Sequence, residues 1–449
     1  MAHVRWFAVL LGILAGCSGE DATDAGEPSD GAVDGDADTD VDSDSDTDPT
    51  EPTGDAPTFA EDVRPMLGAS CARCHGESLL APQNFLDYDT AKAWAEVMLV
   101  RIDAGEMPPP AADPACHPYQ GAEVMQMDPA LPGMLRSWID GGYLAGDLEN
   151  APEVSVWVPP TLSRRDVELR TAAPYTPQFV EGNEYRCFVI DDNIDADVFV
   201  TGIEFLLDHP TVSHHALLFV DPDGGNEANI EDPATKSWVC PEVLPEVNWE
   251  TLHAWAPSGG AVEFPAGKGI RVRRGGQVIL QMHYFAGTTE PVVDQPGYAL
   301  MVAPTVDDEL FYLPLGPDSF TIPAGAASHT ETEEYPLFWF SFGQVDFDVY
   351  GVMPHMHVLG TGYEFKGVEG GTESCISRSD AYDFSNQPTY WFDEPVRVSG
   401  TGDLSVSCTW NNSAENPRQL NDPPLDVTWG ENTQQEMCFA LMYVAAVPR

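Results

Sequence analysis

Apolar residues recur at helical spacing in three stretches of the N-terminal part of the chain. The first stretch follows Thr58-Phe-Ala-Glu61, a capping box of the kind that opens helices, and the other two cover 90–103 and 131–140. The positions predicted to face inward are Phe59, Val63, Met66, Leu67, Trp94, Val97, Met98, Leu135, Trp138 and Ile139. The pattern predicts a small all-α domain over residues 58–147.

After Pro152 the pattern changes to short runs in which apolar and polar residues alternate, separated by Pro, Gly, Asn and Asp. Examples of these runs are 198–207, 277–284 and 437–444. Alternation is typical of β-strands that bury one face, and the length of this region is enough for two domains. The sequence therefore predicts a multi-domain protein in which the α domain precedes two all-β jelly-roll-like sandwiches, at 155–305 and 306–449.

The N-terminus has the pattern of an export signal. An apolar run from Trp6 to Ala15 is too short to span a bilayer, and small residues precede Cys17. This arrangement resembles a bacterial lipoprotein signal, in which the cysteine is acylated after cleavage. We predict a signal peptide with an acylated Cys17 over residues 1–17. Ser18 favours the outer membrane of a bacterial cell envelope, on its periplasmic or its outer surface.

The chain is strongly acidic, and much of the charge lies in residues 18–57. This stretch holds 15 acidic residues and no Lys or Arg, and leaving it out changes the formal net charge from -53 to -38. Its composition cannot bury enough apolar area to offset chain entropy, which predicts a disordered acidic linker. The remaining charge disfavours nucleic acid and anionic lipid as partners. The only predicted membrane contact is therefore the lipid anchor.

Cys71, Cys74 and His75 form a CxxCH motif. Two thiols at this spacing can add to the vinyl groups of haem, and the histidine that follows can bind the iron. In an exported protein this motif predicts one covalently bound haem c.

Residues 58–147 resemble class I cytochrome c domains, including the loop 105–110. The resemblance implies that Met107 binds the haem iron opposite the histidine. The alternatives for that ligand are Met125, Met127 and His117. A His/Met pair leaves no open coordination position, so this domain is predicted to transfer electrons and not to activate oxygen.

Two histidines at i and i+2 lie in the C-terminal part of the chain. On an extended strand His355 and His357 share one face, and a thioether follows at Met437. Two nitrogens and a soft sulfur favour a redox metal of the copper type. Such a site leaves space for O2, which indicates oxygen chemistry.

A second group of histidines comprises the adjacent His214 and His215 together with His283. Neighbouring side chains on a regular strand point to opposite faces. His214 and His215 can therefore share an ion only at a strand end or a β-bulge. The alternative is that one of them is a packed core residue.

These segments resemble the copper type II, ascorbate-dependent monooxygenases, the family of peptidylglycine alpha-hydroxylating and dopamine beta-monooxygenase, over about 155–449. The segments that carry the resemblance are Tyr185-Arg-Cys187, His214-His215, Leu252-His-Ala-Trp255 through 264–269, Leu280-Gln-Met-His283-Tyr284, His355-Met-His357 and Glu436-Met437-Cys438.

The resemblance implies two copper ions with different roles. His214, His215 and His283 would hold the electron-storing copper in the first sandwich. The catalytic, oxygen-binding copper would be held in the second sandwich by His355, His357 and Met437. Ascorbate or another one-electron reductant, or an electron-donor protein, would supply the electrons.

The resemblance also implies two disulfide bonds. The implied pairs are Cys187 with Cys240 and Cys408 with Cys438. The sequence leaves open whether Cys116 and Cys375 pair with each other.

The substrate of the peptide-amidating branch is not supported. Those members hold a substrate carboxylate with an arginine and a tyrosine, at positions where this chain has Met353 and Leu441. An uncharged or apolar small substrate is easier to accommodate here.

The sequence therefore predicts a copper-dependent monooxygenase that hydroxylates a substrate C–H bond with O2, fused to a haem domain that relays electrons. One alternative is a copper- and haem-binding lipoprotein that transfers electrons or handles copper without hydroxylating a substrate. Another is an adhesion-like sandwich in which the histidines are structural.

Overall fold

Helices occupy the first part of the described chain, and strands form the rest. The computed structural model describes residues 56–76, 83–179, 183–240, 249–255, 259–285, 291–384, 386–430 and 434–449. The predicted signal peptide, Cys17 and nearly all of the acidic linker lie outside these ranges.

The helices begin where the capping box predicts. A π-helical turn, Phe59–Val63, continues into α1, and the Thr58 side chain accepts a hydrogen bond from the Glu61 N–H. The α-helices of this part are α1 Arg64–Ser70, α2 Tyr88–Asp103, α3 Ala122–Met125 and α4 Leu131–Asp140. Among the described helices, none is both long and apolar enough to cross a membrane.

These helices share a core of their own. Phe59, Leu67, Leu131, Leu135 and Trp138 are buried together. Two residues predicted to face inward differ, because Trp94 and Val97 are about two-fifths exposed and line a cavity beside the CxxCH motif. The helical period marks an apolar face correctly, but it does not distinguish a protein core from the wall of a cavity.

The strands and one further short helix, α5 Phe338–Ser341, follow. The described strands are β1 Val167–Arg170, β2 Asn183–Asp191, β3 Val198–Leu206, β4 Ser213–Asp221, β5 Ser237–Val239, β6 Glu250–Trp255, β7 Val262–Glu263, β8 Lys268–Val272, β9 Gln277–Phe285, β10 Gly297–Ala303, β11 Asp308–Leu315, β12 Thr321–Ile322, β13 His329–Pro336, β14 Val345–His355, β15 Gly360–Glu369, β16 Thr372–Ser379, β17 Tyr390–Val398, β18 Asp403–Trp410, β19 Val427–Thr428 and β20 Phe439–Pro448.

One nine-stranded sheet runs through both β-rich parts of the chain. Its order is β1-β10-β3-β8-β11-β20-β14-β17, with β7 beside β3. A five-stranded sheet, β5-β2-β9-β4-β6, faces its first half, and a four-stranded sheet, β13-β18-β15-β16, faces its second half. The described chain is therefore mostly β-sheet and is arranged as two β-sandwich layers, as the alternating pattern predicts.

The large sheet runs through both β-rich parts of the chain, whereas the sequence predicts two separate sandwiches. β8 and β11 pair in parallel, with Lys268 opposite Asp308 and Ile270 opposite Leu310. The predicted boundary at 305/306 falls just before β11, so the sheet continues across it. The division into two domains there stays a prediction.

Alternation along β20 places its side chains in two different cores. Ala440, Met442 and Val444 pack in the core of the second half, whereas Tyr443 and Ala445 pack in the core of the first half. The middle of the large sheet therefore buries both faces, which fixes the two halves against each other.

Three disulfide bonds link the described cysteines. Both implied pairs, Cys187–Cys240 and Cys408–Cys438, are present. The pairing that the sequence left open is also present, since Cys116 is bonded to Cys375, which lies in β16. Cys71 and Cys74 are free thiols.

Asp294 predicts a pH dependence of stability in the first core. Its side chain is fully buried, it accepts a hydrogen bond from the His209 N–H, and burial raises its pKa from 3.8 to about 6. The native state therefore binds the proton more tightly than the unfolded chain does. The free energy of unfolding should fall by about 2–3 kcal/mol as pH rises through that interval, and then level off.

Denaturant unfolding across this pH range measures that effect. The matched variant Asp294→Asn keeps the shape of the side chain but cannot ionise. Its free energy of unfolding should therefore lack the decrease that Asp294 causes as pH rises. An equal pH dependence in the variant and the parent protein would contradict the prediction.

Candidate metal and cofactor sites

Three histidines converge on the adjacent strands β4 and β9. His215 lies directly opposite His283, and the strand register shifts between Ser213 and His215, so His214 sits in a β-bulge. The bulge turns His214 to the side of its neighbour. This is the local distortion that two adjacent histidines need in order to share an ion.

The three imidazole rings direct their Nδ1 atoms toward one another. The Nδ1 atoms are 3.2 Å apart for His214 and His215, 3.1 Å for His214 and His283, and 3.3 Å for His215 and His283. A point between atoms at these spacings lies about 1.9 Å from each, close to the length of a metal–imidazole bond. The donor set and the spacing fit a single copper-type ion.

The electrostatics of this cluster keep the rings neutral. Burial, followed by the charge of His214, lowers the pKa of His283 to about 3, and burial lowers the pKa of His214. Neutral rings are the form that binds metal. Tyr185 stacks on His283 with ring centroids 4.2 Å apart and holds the orientation of that ring.

His355 ends β14, and His357 lies two residues beyond it, with ring centroids 5.2 Å apart. His355 Nδ1 donates to Gln387 Oε1 at 2.7 Å. The Gln387 amide is oriented for this because its Nε2 donates to the Phe384 carbonyl. His357 Nδ1 donates to a backbone carbonyl, that of Gln435, at 2.9 Å. Each ring therefore carries its proton on Nδ1 and presents Nε2 as an acceptor, the form that binds metal.

A buried carboxylate joins the two segments of this second site. Glu436 accepts hydrogen bonds from the backbone N–H groups of His357 and Leu359, at 2.8 and 2.7 Å, and from Trp410 Nε1 at 2.9 Å. Burial raises its pKa to about 8, and these donors act in the opposite direction. Glu436, which directly precedes Met437, is thus bound to the segment that contains His355 and His357.

Met437, which directly follows Glu436, is fully buried. It precedes Cys438, which is bonded to Cys408, and it lies two residues before Phe439, the strand partner of His355. The chain positions of Met437 and the histidine pair are therefore fixed by a disulfide bond, a carboxylate and a strand pair.

One histidine of the second group, His355, acts electrostatically on the three-histidine cluster. Burial lowers the pKa of His215 well below its usual value, and the charges of His283, His214 and His355 lower it further. His355 therefore lies close enough to the first cluster to interact with it electrostatically.

The CxxCH motif lines a cavity of about 480 Å³ beside α2. Cys71, Cys74, His75 and Met107 all line it, and burial raises the pKa of the Cys71 thiol to about 12. The His75 ring stacks on Phe85 at 4.4 Å. Two free thiols, an imidazole and a thioether around one apolar cavity fit a covalently attached haem with a His/Met ligand pair.

The alternatives to Met107 separate into two groups. Met127 also lines the cavity. Met125 packs against the core of the second β-sandwich, and His117 hydrogen-bonds the Glu394 carbonyl at 2.8 Å. Only Met107 and Met127 of these candidates are therefore placed at the cavity.

Sequence reasoning missed the residues that orient the second histidine group. Gln387, Gln435 and Glu436 fix these rings or their backbone. A signal existed for Glu436, because it directly precedes an apolar run that begins at Met437, and acidic residues are seldom buried without a partner. Gln387 lies 32 residues from His355, and nothing in the sequence relates the two.

Comparison with known proteins gives one family match. Residues 340–448 match the family model described as copper type II ascorbate-dependent monooxygenase, C-terminal domain. No curated protein matches the chain.

Three solved structures are similar only at low scores. A protein of Eubacterium rectale that is assigned as secreted has 10% identity over 60% of this chain and 70% of its own, with a TM-score of 0.19. The VP2 subviral particle of infectious bursal disease virus has 10% identity over 65% and 74%, with a TM-score of 0.18. The Gt strain of that virus has 8% identity over 63% and 71%, with a TM-score of 0.15. Scores this low do not establish a shared fold.

The family match covers His355 and His357, which form an HxH pair, together with the residues that orient them and Met437. Residues 340–448 are therefore similar to the C-terminal domain of the copper type II ascorbate-dependent monooxygenases.

Proposed function

We propose that this chain is a copper-dependent monooxygenase that uses O2 to hydroxylate a substrate C–H bond. The observation that carries the proposal is the orientation of His355 and His357, whose Nδ1 atoms donate to Gln387 and Gln435 inside the segment that matches the monooxygenase family. The reaction consumes O2, two electrons, two protons and the substrate, and it yields the hydroxylated product and water.

The residues divide into two metal sites and one haem site. His355, His357 and Met437 would hold the copper that meets O2, and His214, His215 and His283 would hold the copper that stores an electron. Cys71, Cys74, His75 and Met107 would hold haem c. When bound, these groups supply single electrons and the reduction of O2. The family implies ascorbate as reductant, and the haem would relay or replace it.

The surroundings of the HxH pair favour an uncharged substrate. Met353 and Leu441 are direct partners on β14 and β20, and both are partly exposed. Met353 lies on the same strand face as His355, since the two are two positions apart on the strand. An apolar pair here would contact an apolar part of a substrate, and it offers no cation to a carboxylate.

The proposal includes export and lipid attachment at Cys17, with residues 18–57 as the linker. Mass spectrometry of the mature protein would detect a diacylglyceryl modification on Cys17. An unmodified N-terminus would contradict this part alone and leave the chemistry untouched.

The relay is tested by rapid mixing of protein that carries haem and copper. The prereduced haem should be reoxidised faster when copper, O2 and substrate are all present than in copper-free protein, because the metal then accepts its electron. The copper-free protein is the matched control. Equal reoxidation rates would contradict the relay, and copper reduction without substrate-dependent O2 uptake would favour an electron-transfer protein.

A further inference from the structure

The helical part of the chain is fixed to the second β-sandwich by the segment that follows Pro110. Cys116 is bonded to Cys375, and Asp113 forms an ion pair of 2.8 Å with Arg378. The Asp113 N–H also donates to the Arg378 carbonyl. The cavity beside the CxxCH motif is therefore held in one position relative to the HxH pair.

A pair of buried tyrosines lies next to the segment that leads from the cavity to the second β-sandwich. The Tyr119 hydroxyl donates to the Ala112 carbonyl at 2.9 Å, three residues after Pro109, which lines the cavity. Arg73, which lies between the two cysteines, lines the cavity. Burial raises the pKa of Tyr119 to about 12, and the charge of Arg73 partly offsets that rise. Burial also raises the pKa of Tyr390, which Arg73 again lowers. Tyr119 is thus hydrogen-bonded to the segment that follows the cavity wall, and the charge of Arg73 acts on both phenols.

These two tyrosines begin a continuous chain of four. The rings of Tyr119 and Tyr390 are 4.8 Å apart. The Tyr390 and Tyr363 side chains share the core of the second sandwich, and their hydroxyl groups lie close enough to interact. The rings of Tyr363 and Tyr382 are 6.5 Å apart. The Tyr382 hydroxyl donates to the Met356 carbonyl at 2.8 Å and accepts from the Met356 N–H at 3.0 Å.

The chain ends between the two histidines of the HxH pair, because Met356 separates His355 from His357. All four tyrosines are buried, with 3–6% of their surface exposed. A packed core needs only the rings. Here hydroxyl contacts also join the second ring to the third, and the fourth ring to the backbone of the metal-binding segment.

We propose that Tyr119, Tyr390, Tyr363 and Tyr382 form the electron path from the haem cavity to the HxH site, so that single electrons enter at this site and not at the three-histidine cluster. This inference rests on the proposed function. One electron leaves the ferrous haem iron, which becomes ferric, and reduces Cu(II) to Cu(I). No bond forms or breaks, no proton moves, and the tyrosines stay phenols throughout.

The physical argument concerns tunnelling distance. Electron tunnelling weakens steeply across empty gaps and less through bonded or closely packed groups. Edge-to-face aromatic pairs and hydrogen bonds replace such gaps along this path.

The test uses holoprotein carrying haem and Cu(II), without O2 or substrate. A photoreduced flavin delivers one electron to the haem, and haem absorbance and the copper electron paramagnetic resonance signal are followed together. The double variant Tyr363→Phe/Tyr382→Phe removes the hydroxyl contacts and keeps the rings. It should slow haem reoxidation by about tenfold or more, with haem spectrum and copper content unchanged and a lower thermal midpoint, because Met356 loses both hydrogen bonds to Tyr382.

The matched control is Tyr298→Phe/Tyr312→Phe, which alters two tyrosines outside the path and should keep the parent rate. Equal rates in the path variant and the parent protein would overturn the path and leave the relay standing. Loss of the three-histidine copper signal before that of the HxH copper would also overturn it. An absence of any electron transfer in the parent protein would instead refute the relay on which the path rests.

Discussion

Replacing Met437 by isoleucine should lower substrate-coupled O2 consumption by at least about a hundredfold, while the haem absorption spectrum stays that of the parent protein. In the proposed HxH copper site the thioether would be the soft donor that favours Cu(I), and isoleucine has a similar volume but no lone pair to offer. Because Met437 is fully buried, an apolar replacement should preserve the packing around it. Oxygen-electrode assays with a reductant, together with copper analysis, measure the effect.

A second methionine on the same segment provides the control. Met442 is also fully buried, but it packs in the core of the second sandwich, on the face of β20 away from Tyr443. Met442→Ile should therefore keep most of the activity at a small cost in stability. If Met437→Ile retained parental O2 consumption, or if both variants lost it equally, Met437 would not be the sulfur ligand.

The sequence predicts local features of the fold best. A capping box at Thr58 and alternation along β20 both appear as expected, because each depends on residues that are neighbours along the chain. The bulge at His214 was a requirement of sharing an ion, and the structure contains it. Residue spacing therefore predicted the helix start and the strand alternation, whereas it left the bulge as one of several alternatives and placed Trp94 and Val97 inward incorrectly.

Non-local pairing was not predictable. The parallel contact of β8 with β11 joins the two halves into one sheet, and no pattern within either strand specifies that partner. The Cys116–Cys375 bond is likewise non-local, with its cysteines 259 positions apart in the sequence. Both features are set by how separate layers dock, which a single sequence does not encode in any local signal.

The orienting residues of the HxH site explain why candidate ligands are easier to find than their supports. Imidazole and thioether side chains are few, so their spacing is informative. Glutamine and backbone carbonyl groups are common, and only the folded chain shows that Gln387 and the Gln435 carbonyl accept from the two rings. The same fold places Glu436 against the backbone of the histidine segment. Substitution of Glu436 therefore tests directly how that segment is held.

Glu436→Ala should destabilise the second sandwich by about 3–5 kcal/mol. The carboxylate accepts from the His357 and Leu359 N–H groups and from Trp410 Nε1, and alanine would leave these buried donors without an acceptor. Trp410 and Glu436 are both almost completely buried, so water cannot readily replace the lost oxygen atoms. Denaturant unfolding followed by tryptophan fluorescence measures the change.

The matched variant Glu436→Gln separates hydrogen bonding from side-chain volume. Glutamine keeps the shape and one acceptor oxygen, but it places an amide N–H2 group against at least one backbone donor. Its destabilisation should therefore lie between those of the parent protein and Glu436→Ala. The hydrogen bonds of Glu436 also position His357 relative to Met437. Copper affinity at the HxH site should therefore follow the same order, while the three-histidine site keeps its copper. An alanine variant as stable as the parent protein would show that the three donors find other acceptors. The hydrogen bonds of Glu436 would then not be needed to hold the histidine segment next to Met437.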